Sequence, residues 1–211
     1  ADHFDGNMAS NWPLRGMKAT YWEGGCRVPA FVHSPLLPAH MRGAVYDGLF
    51  HVTDWLPTLV RLAGGAPPRN VDGVDQYEAI FADRPAEHPR TELLVHVDVY
   101  GRQLEPMGLA TGAYVEGDMK LIVNATDALW ADPDGSDYRT EDHLWTAQAF
   151  YEAEVAAGWG SYADYFRHTA LFNVTGDPYE TDNVYDKRSD VVSKLEAKIE
   201  ALLKKGLIRG A

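Results

Sequence analysis

Cysteine is almost missing from this sequence of 211 residues, which contains only Cys26. A single cysteine excludes a disulfide bond within the chain, so packing and polar contacts must hold the fold together. Long apolar runs are missing too. No stretch approaches the roughly 18 consecutive apolar residues of a membrane-spanning helix, and no signal peptide is visible. The sequence therefore predicts a chain without a membrane span.

Positive charge is also scarce. The chain has 19 Lys and Arg against 31 Asp and Glu, which gives a formal net charge of -12. Such a chain is not attracted to nucleic acid or to anionic membranes, so neither is expected as a partner. An anion-binding site would have to be built locally from a few well-placed cations. Apolar residues make up 45% of the chain, enough for a packed core.

Two segments have the apolar periodicity of helices. Residues 53–63 predict a helix with Thr53 as N-cap, ended by Gly64 and Gly65. A second helix is predicted from Ser189 to the Lys204–Lys205 pair. A third, residues 140–157, rests on a less regular pattern. The residues expected to share one helix face are Leu56, Leu59, Val60 and Ala63 in the first helix, and Val192, Leu195, Ile199, Leu202 and Leu203 in the second.

Four segments have the composition of strands. Residues 28–37 predict a short buried strand, and residues 92–100 a second strand. Residues 112–124 predict a hairpin that turns at 116–118, and residues 171–174 a last short strand. The Pro/Gly-rich connection 64–75 suggests a domain boundary, which divides the chain into residues 1–66 and 67–211. The order of elements predicts the end of a mixed α/β layer, followed by a small antiparallel sheet with a C-terminal helix.

The most distinctive stretch is NWPLRGMKATYWEGGCRVPAF, residues 11–31. It resembles the segment that follows the metal-binding loop of type I sulfatases, where the pattern is close to PLRG-x-K-x-x-x-WEGG-x-R-x-P. The arylsulfatase B (N-acetylgalactosamine-4-sulfatase) branch is the most similar. Residues 130–169 are the part that the resemblance does not cover. Five further blocks match in the same order: HVTDWLPTLVRLAGG (51–65), DGVDQYEAI (72–80), PRTELLVHVD (89–98), GAYVEGDMKLI (112–122) and LFNVTGDPYETDNV (171–184).

The resemblance implies the alkaline-phosphatase-like sulfatase fold, of class α/β, with this chain as its C-terminal part. Residues 1–66 would end the catalytic α/β domain, and residues 67–211 would form the smaller C-terminal subdomain. It also implies hydrolysis of a sulfate ester by a formylglycine beside a Ca²⁺ ion. The hydrated aldehyde supplies the nucleophile, while the metal and cationic side chains neutralise the sulfate oxygens.

Lys18 matches the catalytic lysine of that family. The resemblance implies that Lys18 contacts the sulfate and the leaving-group oxygen, a role that suits a compact charge with three donors. The alternative for Lys18 is a solvated surface lysine. Arg15, Arg27 and Glu23 are expected to brace the surrounding loop rather than to bind substrate. Similarly, His51 and Asp54 are expected to cap a helix.

The family's nucleophile motif, C-x-P-x-R, is missing from this sequence. Cys26 lies inside the WEGG-x-R pattern instead, and we interpret it as a small apolar residue. The formylglycine is therefore expected in an N-terminal part outside this chain. Asp2 and His3 are candidate metal ligands, because the family carries an Asp-containing turn before PLRG. Asp5, or an aspartate just before Ala1, remains an alternative.

Three further positions are candidate sites. His96 and Asp98 share one face of a predicted strand, and His96 could contact substrate. The sequons at Asn124 and Asn173 are candidate glycosylation sites, which agrees with a secreted or lysosomal glycoprotein.

Two hypotheses follow for the whole chain. In the first, it is the C-terminal segment of an arylsulfatase that donates Lys18 and is inactive alone, completed by an N-terminal half or a companion chain. In the second, it is a non-catalytic binding or structural subunit derived from a sulfatase. In both, the chain is expected to form a homo- or hetero-oligomer, because the missing half would leave a hydrophobic face bare.

Overall fold

The computed structural model describes residues 11–16, 18, 20–82, 87–98, 111–125 and 168–204. These form two compact units, Ala1–Val28 with Leu94–Ala211, and Pro29–Leu93. The limits of these units do not coincide with the boundary predicted between residues 66 and 67. That boundary refers to the domains of a complete enzyme, and it stays a prediction. The elements in chain order are α1 (Glu23–Cys26), α2 (Trp55–Leu62), α3 (Tyr77–Phe81), β1 (Glu92–Asp98), β2 (Thr111–Glu116), β3 (Met119–Ala125), β4 (His168–Asn173) and α4 (Ser189–Lys204), with short 3₁₀ helices at Ala39–Met41, Val52–Asp54 and Tyr185–Lys187.

The four strands form one sheet in the order β1-β2-β3-β4. Strands β2 and β3 pair antiparallel as a hairpin, with Glu116 opposite Met119. Gly117 in the turn has a φ of +55°, a conformation that costs glycine little. Strand β4 pairs antiparallel with β3, with Leu171 opposite Leu121. The predicted hairpin and the two predicted strands flanking it are confirmed.

One face of the sheet packs against α4. Strand residues alternate between faces, whereas helix residues three or four apart share a side, so each element presents one apolar row. α4 begins at Ser189, as the sequence predicts. The predicted small antiparallel sheet with a C-terminal helix is therefore confirmed. The buried contacts are Val97, Tyr114, Leu121 and Leu171 from the sheet and Val192, Leu195 and Ile199 from the helix.

The opposite face of the sheet is covered by Trp22, which is 2% exposed. Its indole packs on the Phe172 ring in an edge-on arrangement, with the ring centroids 5.5 Å apart. Ala113, Ile122 and Ala170 complete this second cluster. Trp22 therefore belongs to the core. The segment around Trp22 is thereby anchored on the sheet.

In the unit Pro29–Leu93, the predicted helix 53–63 is present but begins differently. The chain turns first through the 3₁₀ helix Val52–Asp54 and then through α2. The N-cap is His51, whose Nδ1 accepts a hydrogen bond from Thr53 N at 3.4 Å. The prediction of Thr53 as N-cap is therefore wrong, because the imidazole of His51, two residues earlier, supplies the acceptor.

One expectation of burial is also wrong. Residues 28–37 are not a strand, and Val28 and Phe31 are 76% and 90% exposed. In α2, Leu56 and Leu59 are 55% and 49% exposed, while Pro57 and Thr58 are buried. Periodicity identifies residues that share a face, but not which surface covers that face.

Among the described residues, no helix is long and apolar enough to cross a membrane. The predicted helix 140–157 lies outside the described residues.

Candidate functional site: the Lys18 loop

Lys18 lies at an exposed turn within residues 11–27, here called the Lys18 loop. The loop is closed on either side of Lys18 by backbone hydrogen bonds. Leu14 N donates to Asn11 O at 2.8 Å, and Gly24 N donates to Arg15 O at 2.6 Å. Residues 15 and 24 are thus tied together, and Lys18 lies in the segment between them.

Two glycines permit this closure. Gly16 has a φ of +81°, and a Cβ at that position would lie 2.6 Å from the Trp22 Cβ. A Cβ on Gly24 would lie 2.4 Å from Gly16 O. Both spacings are shorter than van der Waals contact, so any larger residue would force the backbone apart.

Beneath the loop lies a group of three charged side chains, here called the buried cluster: Glu23, Lys120 and Glu180. Lys120 Nζ donates to Glu23 Oε1 at 2.8 Å and lies 3.0 Å from Glu180 Oε1. Glu180 Oε2 accepts a hydrogen bond from the Glu23 backbone N–H at 2.7 Å. The Lys120 and Glu180 side chains are fully buried, and that of Glu23 is 12% exposed. The loop is therefore held by charge-assisted contacts to β3 and to the segment after β4.

Arg15 adds a further attachment. Its guanidinium stacks 3.8 Å above the Trp22 ring, and its Nη1 donates to the Glu180 carbonyl at 3.2 Å. Arg27 lies 3.7 Å from Glu23 and is 56% exposed. The expected brace by Arg15 is confirmed, but it bonds a backbone carbonyl rather than a carboxylate. The main partner of Glu23 is Lys120.

Burial and the neighbouring charges shift the pKa of both Lys120 and Glu180 in the buried cluster. Burial acts to lower the pKa of Lys120, but the charges of Glu23 and Glu180 outweigh it, so the pKa lies above its ordinary value. Burial raises the pKa of Glu180, and the charge of Lys120 offsets only part of that effect. Lys120 is therefore held as a cation beneath the loop.

Cys26 lies at the end of the loop, where its Sγ donates to Thr20 O at 3.5 Å. Burial raises the pKa of this thiol to about 11, with the charge of Lys120 acting in the opposite direction. A reactive cysteine needs a lowered pKa and a thiolate at neutral pH. The environment of Cys26 therefore supports a structural rather than a nucleophilic role.

Asp54 forms a separate polar centre inside the unit Pro29–Leu93. Its fully buried carboxylate makes a bidentate pair with Arg90, whose Nε lies 2.8 Å from Oδ2. It also accepts from His51 N at 2.9 Å and from Val74 N at 2.8 Å. Burial acts to raise the pKa of Asp54, but the hydrogen bonds from Arg90 and these amides together lower it by more. The pKa therefore lies below its ordinary value. The expected capping role of His51 and Asp54 is confirmed.

His96 lies on β1 with an exposed side chain. Its imidazole stacks on the ring of Tyr21, with the centroids 5.7 Å apart and the planes 29° apart. The Tyr21 hydroxyl lies 3.2 Å from the Thr111 hydroxyl. His96 is thus packed on a residue of the Lys18 loop. The Asp98 side chain lies outside the described residues.

The remaining candidates are dispersed. Asp2, His3 and Asp5 lie outside the described residues. Asn124 is half-buried at an irregular position of β3, and Asn173 is exposed at the end of β4. In the part of the chain that the structure describes, no group of three or more His, Cys, Asp and Glu is arranged to hold a metal ion. The described residues do not fit a calcium site, because the carboxylates of the buried cluster already face Lys120.

Comparison with known proteins finds that this chain is similar to sulfatases. Arylsulfatase J of Mus musculus is 33% identical over 193 residues, which cover 88% of this chain and 31% of that protein. Steryl-sulfatase of Mus musculus is 38% identical over 91 residues, 41% of this chain and 14% of that protein. Arylsulfatase G of Canis lupus familiaris is 42% identical over 67 residues, 30% of this chain and 12% of that protein. No protein-family model matches the chain.

The chain therefore spans about a third of the length of arylsulfatase J, 31%, and smaller shares of the other two. The predicted resemblance to sulfatases is confirmed at this level. A solved structure from work on glycosaminoglycan metabolism by Bacteroides thetaiotaomicron also aligns, over 71% of this chain and 24% of that one. Its identity is 17% and its TM-score is 0.36, so the alignment carries no weight.

Proposed function

We propose that this chain is the C-terminal segment of a sulfuric ester hydrolase and that Lys18 contacts the sulfate group of the substrate. Homology to arylsulfatases over 88% of the chain supports the reaction class. The observation that carries the role of Lys18 is the Lys18 loop itself. The loop presents an exposed lysine, held in place from below by the buried cluster.

The charge of the loop fits an anionic substrate. Although the whole chain has a net charge of -12, the Lys18 loop and the buried cluster together contain four cations and two carboxylates. A local excess of positive charge attracts and orients a sulfate ester, which the acidic remainder of the surface would repel. The cations are Arg15, Lys18, Arg27 and Lys120, and the carboxylates are Glu23 and Glu180.

The nucleophile would come from outside this chain. Cys26 is the only cysteine, it does not lie in C-x-P-x-R, and its thiol has a raised pKa. The formylglycine and the calcium ligands would therefore be supplied by an N-terminal half or a companion chain. The Ca²⁺ ion would neutralise sulfate oxygens there, while Lys18 meets the charge that develops on the leaving oxygen.

We expect the purified 211-residue chain to hydrolyse no chromogenic aryl sulfate above the rate in buffer, because it has no formylglycine precursor. Release of the phenol is followed by absorbance, with calcium added to saturation. A complete arylsulfatase in the same buffer serves as the positive control. Turnover that co-purifies with the 211-residue chain through two columns would disprove an external nucleophile.

The proposal extends to the substrate and the setting of the enzyme. A sulfate ester of the kind cleaved by the arylsulfatase B branch would place its ring near His96, which stacks on Tyr21 of the Lys18 loop. Glycosylation at Asn173, which is exposed, and at Asn124 would accord with a secreted or lysosomal glycoprotein.

The exposed side of α2 supports a partner. Leu56 and Leu59 are about half exposed, and Val52, one turn before Leu56, is 72% exposed. Bare apolar side chains three or four residues apart form a stripe that is normally covered. We propose that the N-terminal half or companion chain of the complete enzyme covers it.

A second function is favoured by one observation, the missing C-x-P-x-R motif. In this proposal the chain is a non-catalytic binding or structural subunit derived from a sulfatase. The two proposals differ in whether a formylglycine-bearing sequence accompanies the chain.

A further inference from the structure

We propose that Lys120 and Glu180 are positioning residues that hold the Lys18 loop in the conformation that presents Lys18 to substrate. This inference rests on the proposed role of Lys18. Neither residue belongs to the loop, and neither is expected to touch substrate, because both side chains are fully buried.

Lys120 and Glu180 bind residues of the loop on both sides of Lys18. On the C-terminal side, Lys120 binds the Glu23 carboxylate at 2.8 Å, and Glu180 accepts the Glu23 backbone N–H at 2.7 Å. On the N-terminal side, the Glu180 carbonyl accepts from Arg15 at 3.2 Å. Since Gly24 N also binds Arg15 O, both ends of the turn are fixed to one another and to the sheet.

The placement of Lys120 is unusual, because its buried neighbours on β3, Leu121 and Ile122, are apolar. On β3, Lys120 and Ile122 share the face that Trp22 covers, and Lys120 lies opposite Val115 on β2 and Phe172 on β4. An apolar residue at position 120 would continue the core at no desolvation cost. A buried cation at this place instead provides directed bonds, which can define one loop conformation where apolar packing alone would permit several.

Cys26 provides a reporter of loop conformation that does not depend on activity. Its thiol bonds to Thr20 O inside the loop, and burial raises its pKa to about 11, so alkylation near pH 8 should be slow. If Lys120 holds the loop, Lys120→Met should accelerate alkylation of Cys26 by about tenfold or more under native conditions, because local opening outweighs the higher thiol pKa that loss of the Lys120 charge would cause. The control is Lys194→Met, which removes a lysine paired with Glu116 in the same unit.

The measurement is the rate of mass increase with a small alkylating reagent, using the complete chain of 211 residues. Circular dichroism confirms that each variant is folded before labelling. Glu180→Gln serves where Lys120→Met folds poorly, because it removes the charge and keeps an oxygen to accept the Glu23 N–H. Alkylation of a folded variant at the wild-type rate would overturn the inference, whatever the enzyme does.

Kinetics then separate positioning from general stabilisation. In the complete enzyme, Lys120→Met should lower kcat per folded active site by about 100-fold, since small misplacements of a catalytic group cost that much. In a Lys18→Ala background the same change should have almost no further effect, because Lys120 acts through Lys18. A purely structural role would instead reduce the folded fraction and leave kcat per folded site unchanged.

The outcomes distinguish the two proposals. If Lys18→Ala leaves activity intact, the proposed function of Lys18 fails, while the Cys26 labelling still decides whether the loop is held. If Lys18→Ala is damaging but the effect of Lys120→Met is fully additive with it, the positioning role alone fails.

Discussion

Replacing Lys18 by alanine in the complete enzyme is expected to lower kcat for a sulfate ester by about 10²- to 10³-fold, the usual cost of removing one preorganised group that stabilises developing charge. The physical reason is that the charge on the leaving oxygen grows as the S–O bond breaks. An ammonium group that meets this oxygen binds the transition state more tightly than the ground state. The measurement is steady-state kinetics on a chromogenic aryl sulfate.

Two variants sharpen this prediction. Lys18→Arg retains the positive charge but replaces a compact ammonium with a planar guanidinium, and it should recover only part of the activity. Lys187→Ala is the matched control, because Lys187 is a lysine, 68% exposed, that pairs with Asp182 outside the Lys18 loop. A Lys18→Ala enzyme with wild-type kcat and a raised KM would mean that Lys18 only binds substrate. A change no larger than that of Lys187→Ala would contradict any role in the reaction.

Replacing Asp54 by asparagine is expected to destabilise the unit Pro29–Leu93 by about 3–5 kcal/mol, because it leaves a largely buried Arg90 without a counter-charge. The asparagine amide would also turn N–H groups toward the guanidinium. The measurement is the urea unfolding midpoint, with the unfolding slope used to check cooperativity. The matched control is Asp75→Asn, which removes one of two carboxylate partners of the more exposed Arg61 and should cost far less.

The same residue gives this prediction a pH dependence. The pKa of Asp54 is lowered in the folded protein from its ordinary value of 3.8. Its contribution to stability is therefore fully present above pH 3.8 and is lost as the pH falls through the lower, folded-state pKa. Wild-type protein should lose stability in this acid range more steeply than Asp54→Asn. Equal midpoints for Asp54→Asn and Asp75→Asn, or parallel acid profiles, would contradict the role assigned to Asp54.

The elements that the sequence predicted correctly depend on local pattern. The hairpin around Gly117 and the helix from Ser189 follow from alternation, a turn glycine and helical spacing within about 15 residues. The predicted strand at residues 28–37 is wrong because the prediction rested on composition alone. Apolar and β-branched residues form a strand only where a neighbouring strand is available to pair with them. In α2, periodicity identifies the residues that share a face, but it does not show whether another element covers them.

Only some residues of the candidate site could be predicted from the sequence. Lys18, Arg15 and Glu23 belong to one contiguous motif, so its resemblance to sulfatases pointed to them together. Lys120 and Glu180 were missed because they lie about 100 and 160 residues from that motif, and no local pattern joins them. The available signals were a lysine inside the apolar run MKLIV and its shared strand face with Ile122.

The central claim is that this chain works with a formylglycine that it does not itself carry. It is tested most directly by the intact mass of native material, measured first under non-denaturing conditions and then with denaturant and reductant. Peptide mapping of every species identifies any formylglycine. We expect a mass well above the 23.4 kDa of this chain, with a formylglycine in the additional sequence. A bare 23.4 kDa species without companion or formylglycine would contradict the catalytic account and favour the non-catalytic subunit.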